Sequence, residues 1–134
     1  MNRPRWAWLA AVFVSLTGDA GAHHSISAVY DSGQRIVLEG TVVEFHLVNP
    51  HAFVSVRVES NARVETWKLE MDNRYELVDV GVTPDTLKPG DRVIVRGSRA
   101  RDGSRSAYLL RLDRRDDGFW YEQVGTSPRI GGPR

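Results

Sequence analysis

Arg35-Ile36-Val37-Leu38-Glu39-Gly40-Thr41-Val42-Val43-Glu44-Phe45-His46-Leu47-Val48 is the stretch on which the fold turns. Ile36 and Leu38 share one parity, Val43, Phe45 and Leu47 share the other, and the switch falls around Gly40. Such a run reads as a long strand. Glycine at the change of parity suits a bulge or sharp bend, so the strand is expected to curl and serve two faces of a small barrel. Asn49-Pro50 ends it, because proline has no N–H to offer a ladder.

Downstream, Ala52 to Glu59 alternates cleanly, with Ala52, Val54, Val56 and Val58 facing inward. A turn at Ser60-Asn61 leads to a third strand over 64–71, with Trp67, Leu69 and Met71 on the buried parity. Asp72 or Asn73 caps a short helix over 74–80 that is expected to point Leu77, Val78 and Tyr75 at the core and to stop at Gly81. After a Pro-Gly-Asp loop come a fourth strand over 92–97, a turn at Arg101-Asp102-Gly103 and a fifth strand over 107–113. Phe119-Trp120-Tyr121 is expected to pack on the barrel end. Three strands, a helix and two strands, with a bent first strand, is the order of the OB-fold, so the expectation is a mainly β, five-stranded OB-like barrel with one short helix between strands 3 and 4. A plain five-stranded sandwich is the alternative.

Upstream, Arg3 and Arg5, the apolar run from Trp6 to Leu16 and the small residues Ala20-Gly21-Ala22 form the pattern of a secretory signal cut before His23. The apolar run is shorter than the roughly 20 residues that span a bilayer. The chain is therefore expected to be periplasmic or secreted, with no membrane span once the signal is removed. The expected organisation is a signal peptide over 1–22, a lead-in over 23–34, the OB-like barrel over 35–122 and a mobile tail over 123–134.

Composition narrows the function classes. The chain has 134 residues, 41% of them hydrophobic and 26% charged, which is one globular domain rather than a disordered or polytopic membrane chain. It has no cysteine, which excludes disulfide scaffolds, thiolate zinc sites and cysteine nucleophiles. Arg3, Arg5 and Asp19 leave with the signal, so the formal charge of +1 becomes zero. Acidic residues then dominate up to 90 and basic ones beyond, two halves that attract one another on one surface. A neutral exported chain does not read as a nucleic-acid binder. No G-x-S-x-G elbow or phosphate loop is present.

Four landmarks occur together: His23-His24-Ser25, Asn49-Pro50-His51-Ala52, Trp67-Lys68-Leu69-Glu70, and Leu87-Lys88-Pro89-Gly90-Asp91 followed by Val93, Val95 and Gly97. The combination resembles an uncharacterised family of small exported bacterial proteins, a domain of unknown function, over roughly 23–112. Ile26 stands where members of that family usually carry an aromatic residue. The resemblance implies export and a small β-barrel, and no activity.

All four histidines, His23, His24, His46 and His51, fall near the start of the mature chain. A free α-amine on His23 would chelate a metal together with its own ring nitrogen, and such nitrogen ligation suits Cu(II) ahead of zinc. His51 and one of His24 or His46 would complete the set. Glu44 shares the parity of His46 as a further ligand or an orienting acceptor. In the plainer alternative His51 caps a turn, His46 is half exposed and His23-His24 is a loose terminus. Two readings follow. The first is a non-enzymatic exported OB-like binding module for an unknown protein or small ligand, without a cofactor; the second is a periplasmic copper-binding protein using His23, His51 and His24 or His46.

Overall fold

The computed structural model describes residues 25–133, so the signal segment, His23 and His24 lie outside the described residues. A short α1 (Ile26–Val29) runs into a long β1 (Tyr30–His46), followed by β2 (Phe53–Ser60), β3 (Arg63–Glu70), α2 (Arg74–Asp79), β4 (Arg92–Ala100), β5 (Ser106–Arg114), β6 (Trp120–Val124) and β7 (Ser127–Gly131). The fold is mainly β, as the alternating pattern predicts. The seven strands are ordered β3-β2-β1-β4-β5-β6-β7, and a further parallel pairing joins β3 to β5. That pairing returns the sheet on itself, so β1, β2, β3, β5 and β4 form a ring.

The ring is less complete than the expected five-stranded barrel, for a geometric reason. One edge of β5 has two partners: Ser106, Ala107 and Tyr108 face Lys68, Leu69 and Glu70 of β3, whereas Arg111, Leu112 and Asp113 face Glu122, Tyr121 and Trp120 of β6. Where β6 occupies the edge, β3 cannot. The gap is bridged by side chains, with Gln123 Nε2 donating to Asp72 Oδ2 at 2.7 Å and the Tyr121 hydroxyl donating to Gln123 Oε1 at 2.7 Å.

Gly40 does not supply the bulge itself. The register shift between β1 and β2 lies between Val42 and Glu44, and what Gly40 supplies is room. A Cβ there would collide with the Arg57 carbonyl oxygen and come within 2.8 Å of Val56 Cγ1. Inside the ring Val54, Val56, Leu69, Val93, Val95, Leu109 and Leu112 are buried, as their parity predicts, together with Trp67. Helix α2 is capped by the Asn73 side chain, which accepts from the Glu76 N–H at 3.0 Å. Only Leu77 of its expected apolar face is buried; Tyr75 is 66% and Val78 43% exposed. A six-residue helix lying on a sheet has one inward position per turn, so the three could not share the core.

The stretch expected as a mobile tail is structured. Within 123–134, Pro128 to Gly131 pairs with Trp120 to Gln123, and Ile130 stands opposite Tyr121 and packs on the core. Deleting residues 126–134 is expected to lower stability by about 2–3 kcal/mol, the value of uncovering one or two large apolar side chains. Urea unfolding measures it, and an unchanged midpoint would return these residues to the status of a dispensable tail.

Candidate functional site

The connection between β1 and β2 is bound to the end of β3 by two backbone hydrogen bonds: the Met71 N–H donates to the Ala52 carbonyl at 2.8 Å, and the Ala52 N–H donates to the Asp72 carbonyl at 3.2 Å. This places His51 beside Glu70, the last residue of β3. His51 Nδ1 bonds Glu70 Oε1, and the Tyr30 hydroxyl donates to Glu70 Oε2 at 2.5 Å. Both carboxylate oxygens are thus engaged. A carboxylate only accepts, so in the neutral ring Nδ1 carries the proton and Nε2 presents its lone pair outward. The side chains of His51 and Glu70 are 32% and 28% exposed, open enough for a ligand and covered enough to hold their geometry.

Tyr30 belongs to a second, small apolar cluster with Ala100 and Tyr108. Its phenol is pushed above its ordinary pKa, chiefly by burial and then by the hydrogen bond to Glu70. It remains a proton donor to the carboxylate at all physiological pH values. The tyrosine therefore fixes Glu70 and does not compete with it as a base.

His46 goes elsewhere. Its Nε2 lies 2.9 Å from Glu44 Oε2, its ring stacks on Phe53 with centroids 4.6 Å apart, and the Ser55 hydroxyl donates to Glu44 Oε1 at 3.1 Å. Hydrogen bonds from His46 and then Ser55 hold the Glu44 carboxyl below its ordinary pKa. Glu44 is thus the orienting acceptor of His46 that parity allows. The hairpin brings His46 and His51 to one end of the sheet, but each is held by its own carboxylate. Among the described residues, no group of three or more His, Asp or Glu side chains is placed to hold a metal ion.

Two residues of this corner carry no site role in the sequence: Glu70 enters only as part of the Trp67-Lys68-Leu69-Glu70 landmark on the third strand, and Tyr30 lies in the lead-in, 40 positions from it. The one available signal was parity: Glu70 follows buried Leu69, so it faces outward next to the Asn-Pro-His turn. The model of a family of unknown function, DUF6152, matches residues 11–109, from the segment before the described residues into β5. No curated protein matches the chain.

Proposed function

The chain belongs to DUF6152, a family of unknown function, and from that premise we propose that it is an exported, non-enzymatic binding module whose binding end is the His51–Glu70–Tyr30 corner. The observation that carries this reading is an imidazole fixed through Nδ1 by a carboxylate that a buried tyrosine also holds. Its Nε2 is preset to meet a ligand with little loss of side-chain freedom. Among the described residues no helix is long and apolar enough to cross a membrane.

A second reading, copper binding, is favoured by the same pairing, because a ligand histidine generally gives its other ring proton to a carboxylate, which fixes the tautomer and raises the basicity of the coordinating nitrogen. Ser25 lines one concavity with Tyr30, the residue that donates to Glu70. His24 and His23 precede Ser25 by one and two residues, at up to about 3.6 Å of reach per residue. His23 amine and imidazole, His51 Nε2 and one of His24 or His46 would form the set.

Isothermal titration of Cu(II) into protein that begins at His23 tests this reading. One tight equivalent is expected, about 10–100-fold weaker in Glu70→Gln and weaker still in His51→Ala. Binding as tight in His51→Ala as in the wild type would end the copper reading. The broader module reading is tested by capture from periplasmic extract on wild-type and His51→Ala protein: a partner held only by the wild type supports it, and identical recoveries overturn it.

A further inference from the structure

On the outer face of β1, β4 and β5, two adjoining concavities of about 560 and 370 Å³ share Arg35, Tyr108 and Leu110. The β4–β5 register shifts at this place, between Arg96 and Gly97, where Leu110 is the extra residue on β5. Gly97 lets the strands close there: a Cβ at that position would stand 2.6 Å from the Tyr108 carbonyl oxygen. Val37, Leu110 and the Tyr108 ring give the groove a largely apolar lining, and its combined size is that of a small-molecule site.

The charges in the groove are unevenly compensated. Arg96 and Arg111 both bond Asp113, at 3.0 and 2.7 Å, and Glu122 stands 3.8 Å from Arg111. Arg35, at the point the two concavities share, has no carboxylate partner among the described residues; its Nη1 donates to Ser98 Oγ at 3.1 Å, and Ser98 is 5% exposed. That bond anchors the guanidinium and leaves its remaining N–H groups available. A guanidinium matches a carboxylate through two parallel hydrogen bonds. Burial, followed by the charges of Asp72 and Glu70, keeps the Tyr108 phenol neutral, and those two carboxylates repel an anion from the tyrosine end.

We propose that this groove binds a single-chain acyl carboxylate, with its head group on Arg35 and its alkyl chain along Leu110, Val37 and the Tyr108 ring. One uncompensated cation against apolar walls fits an amphiphilic monoanion better than a phosphate, which requires several donors. The groove adjoins the His51 corner through Tyr30, which lines the smaller concavity, but requires neither His51 nor a metal.

Titration calorimetry with octanoate, decanoate and octanol on the chain from residue 23 tests it, with amide chemical shifts to locate the ligand. Octanoate is expected to bind, decanoate about tenfold more tightly for two further methylenes, and octanol at least tenfold more weakly than octanoate. Arg35→Gln and Val37→Glu, both at exposed positions, are expected to weaken decanoate binding tenfold or more while the urea midpoint stays in place. Any of three results overturns the proposal: no decanoate binding at millimolar concentration, equal affinity for octanol and octanoate, or Arg35→Gln binding as tightly as the wild type.

Discussion

Gly40→Val is expected to cost about 4 kcal/mol or more and to leave little folded protein at 37 °C. The reason lies in the backbone rather than in an adjustable side chain. β1 has to pass so close to Arg57 of β2 that a Cβ at residue 40 meets a carbonyl oxygen and Val56 Cγ1. A peptide group in a ladder cannot swing aside as a side chain can, and overpacking of this kind costs 1–3 kcal/mol even where neighbours can move. Here the first β1–β2 pair, Thr41 with Arg57, adjoins the clash, so relief requires separating the strands. Gly33→Ala is the control, because a Cβ there meets only the end of the Asp31 side chain at 3.3 Å. Urea unfolding followed by circular dichroism should show a small change for Gly33→Ala and collapse for Gly40→Val. A Gly40→Val midpoint close to that of the wild type would mean that the sheet is not drawn together at this point.

The second large effect is expected at Arg114, whose side chain is 10% exposed. Its Nη1 donates to the Thr86 carbonyl at 2.7 Å and to Asp91 Oδ2 at 2.9 Å; Nε and Nη2 grip the two oxygens of Asp117 at 2.9 and 2.8 Å; and the guanidinium lies over Phe119, 4.8 Å from its centroid. Asp91 in turn accepts from the Lys88 N–H, and its carbonyl accepts from Val42. One side chain thus fastens the long loop before β4 to the turn after β5. Arg114→Ala leaves Asp91 partly covered without its cation, and such breakage of a covered pair costs about 3 kcal/mol. Arg114→Lys is expected to recover less than half, because an ammonium cannot make the two-pronged contact.

The pH dependence of that effect has a definite sign. The hydrogen bonds from Arg114 and from the Phe119 N–H hold the Asp117 carboxyl below its ordinary pKa of 3.8. A depressed carboxyl contributes stability that is present above its unfolded pKa and is lost as pH falls through the lower folded value. The gap between wild type and Arg114→Ala should therefore persist from neutrality down to about pH 4 and narrow below it. A gap that stays constant down to pH 2 would show that the ion pairs contribute nothing and that the hydrogen bond to Thr86 and packing on Phe119 are the whole effect.

Local pattern was enough to find β2, where Val54, Val56 and Val58 alternate with outward residues, and to narrow the cap of α2 to Asp72 or Asn73, of which Asn73 caps it. It was not enough where long-range pairing overrides local preference. Tyr30 to Gln34 look irregular as sequence, yet β1 starts at Tyr30 because Ala100 and Arg99 at the end of β4 pair with Tyr30 and Asp31. β7 contains proline and ends in glycine, both poor strand formers, and it holds because Tyr121 gives Ile130 a surface to pack on. The candidate site shows the same division. The neighbourhood of Glu44 and His46 follows from parity within one strand, whereas the meeting of Tyr30, His51 and Glu70 depends on how the ring closes. His23 and His24 stand outside the described residues, and the copper set that joins His23 and His51 with His24 or His46 is a proposal.

Glu70 ends the short run of β3 that meets β5, and the same residue accepts the hydrogen bonds of His51 and Tyr30. Sealing the sheet and assembling the corner are consequently one cooperative event. An unfolded chain has no partial version of this corner, and whatever occupies it stabilises the folded state by an amount that grows with the logarithm of its concentration over its dissociation constant.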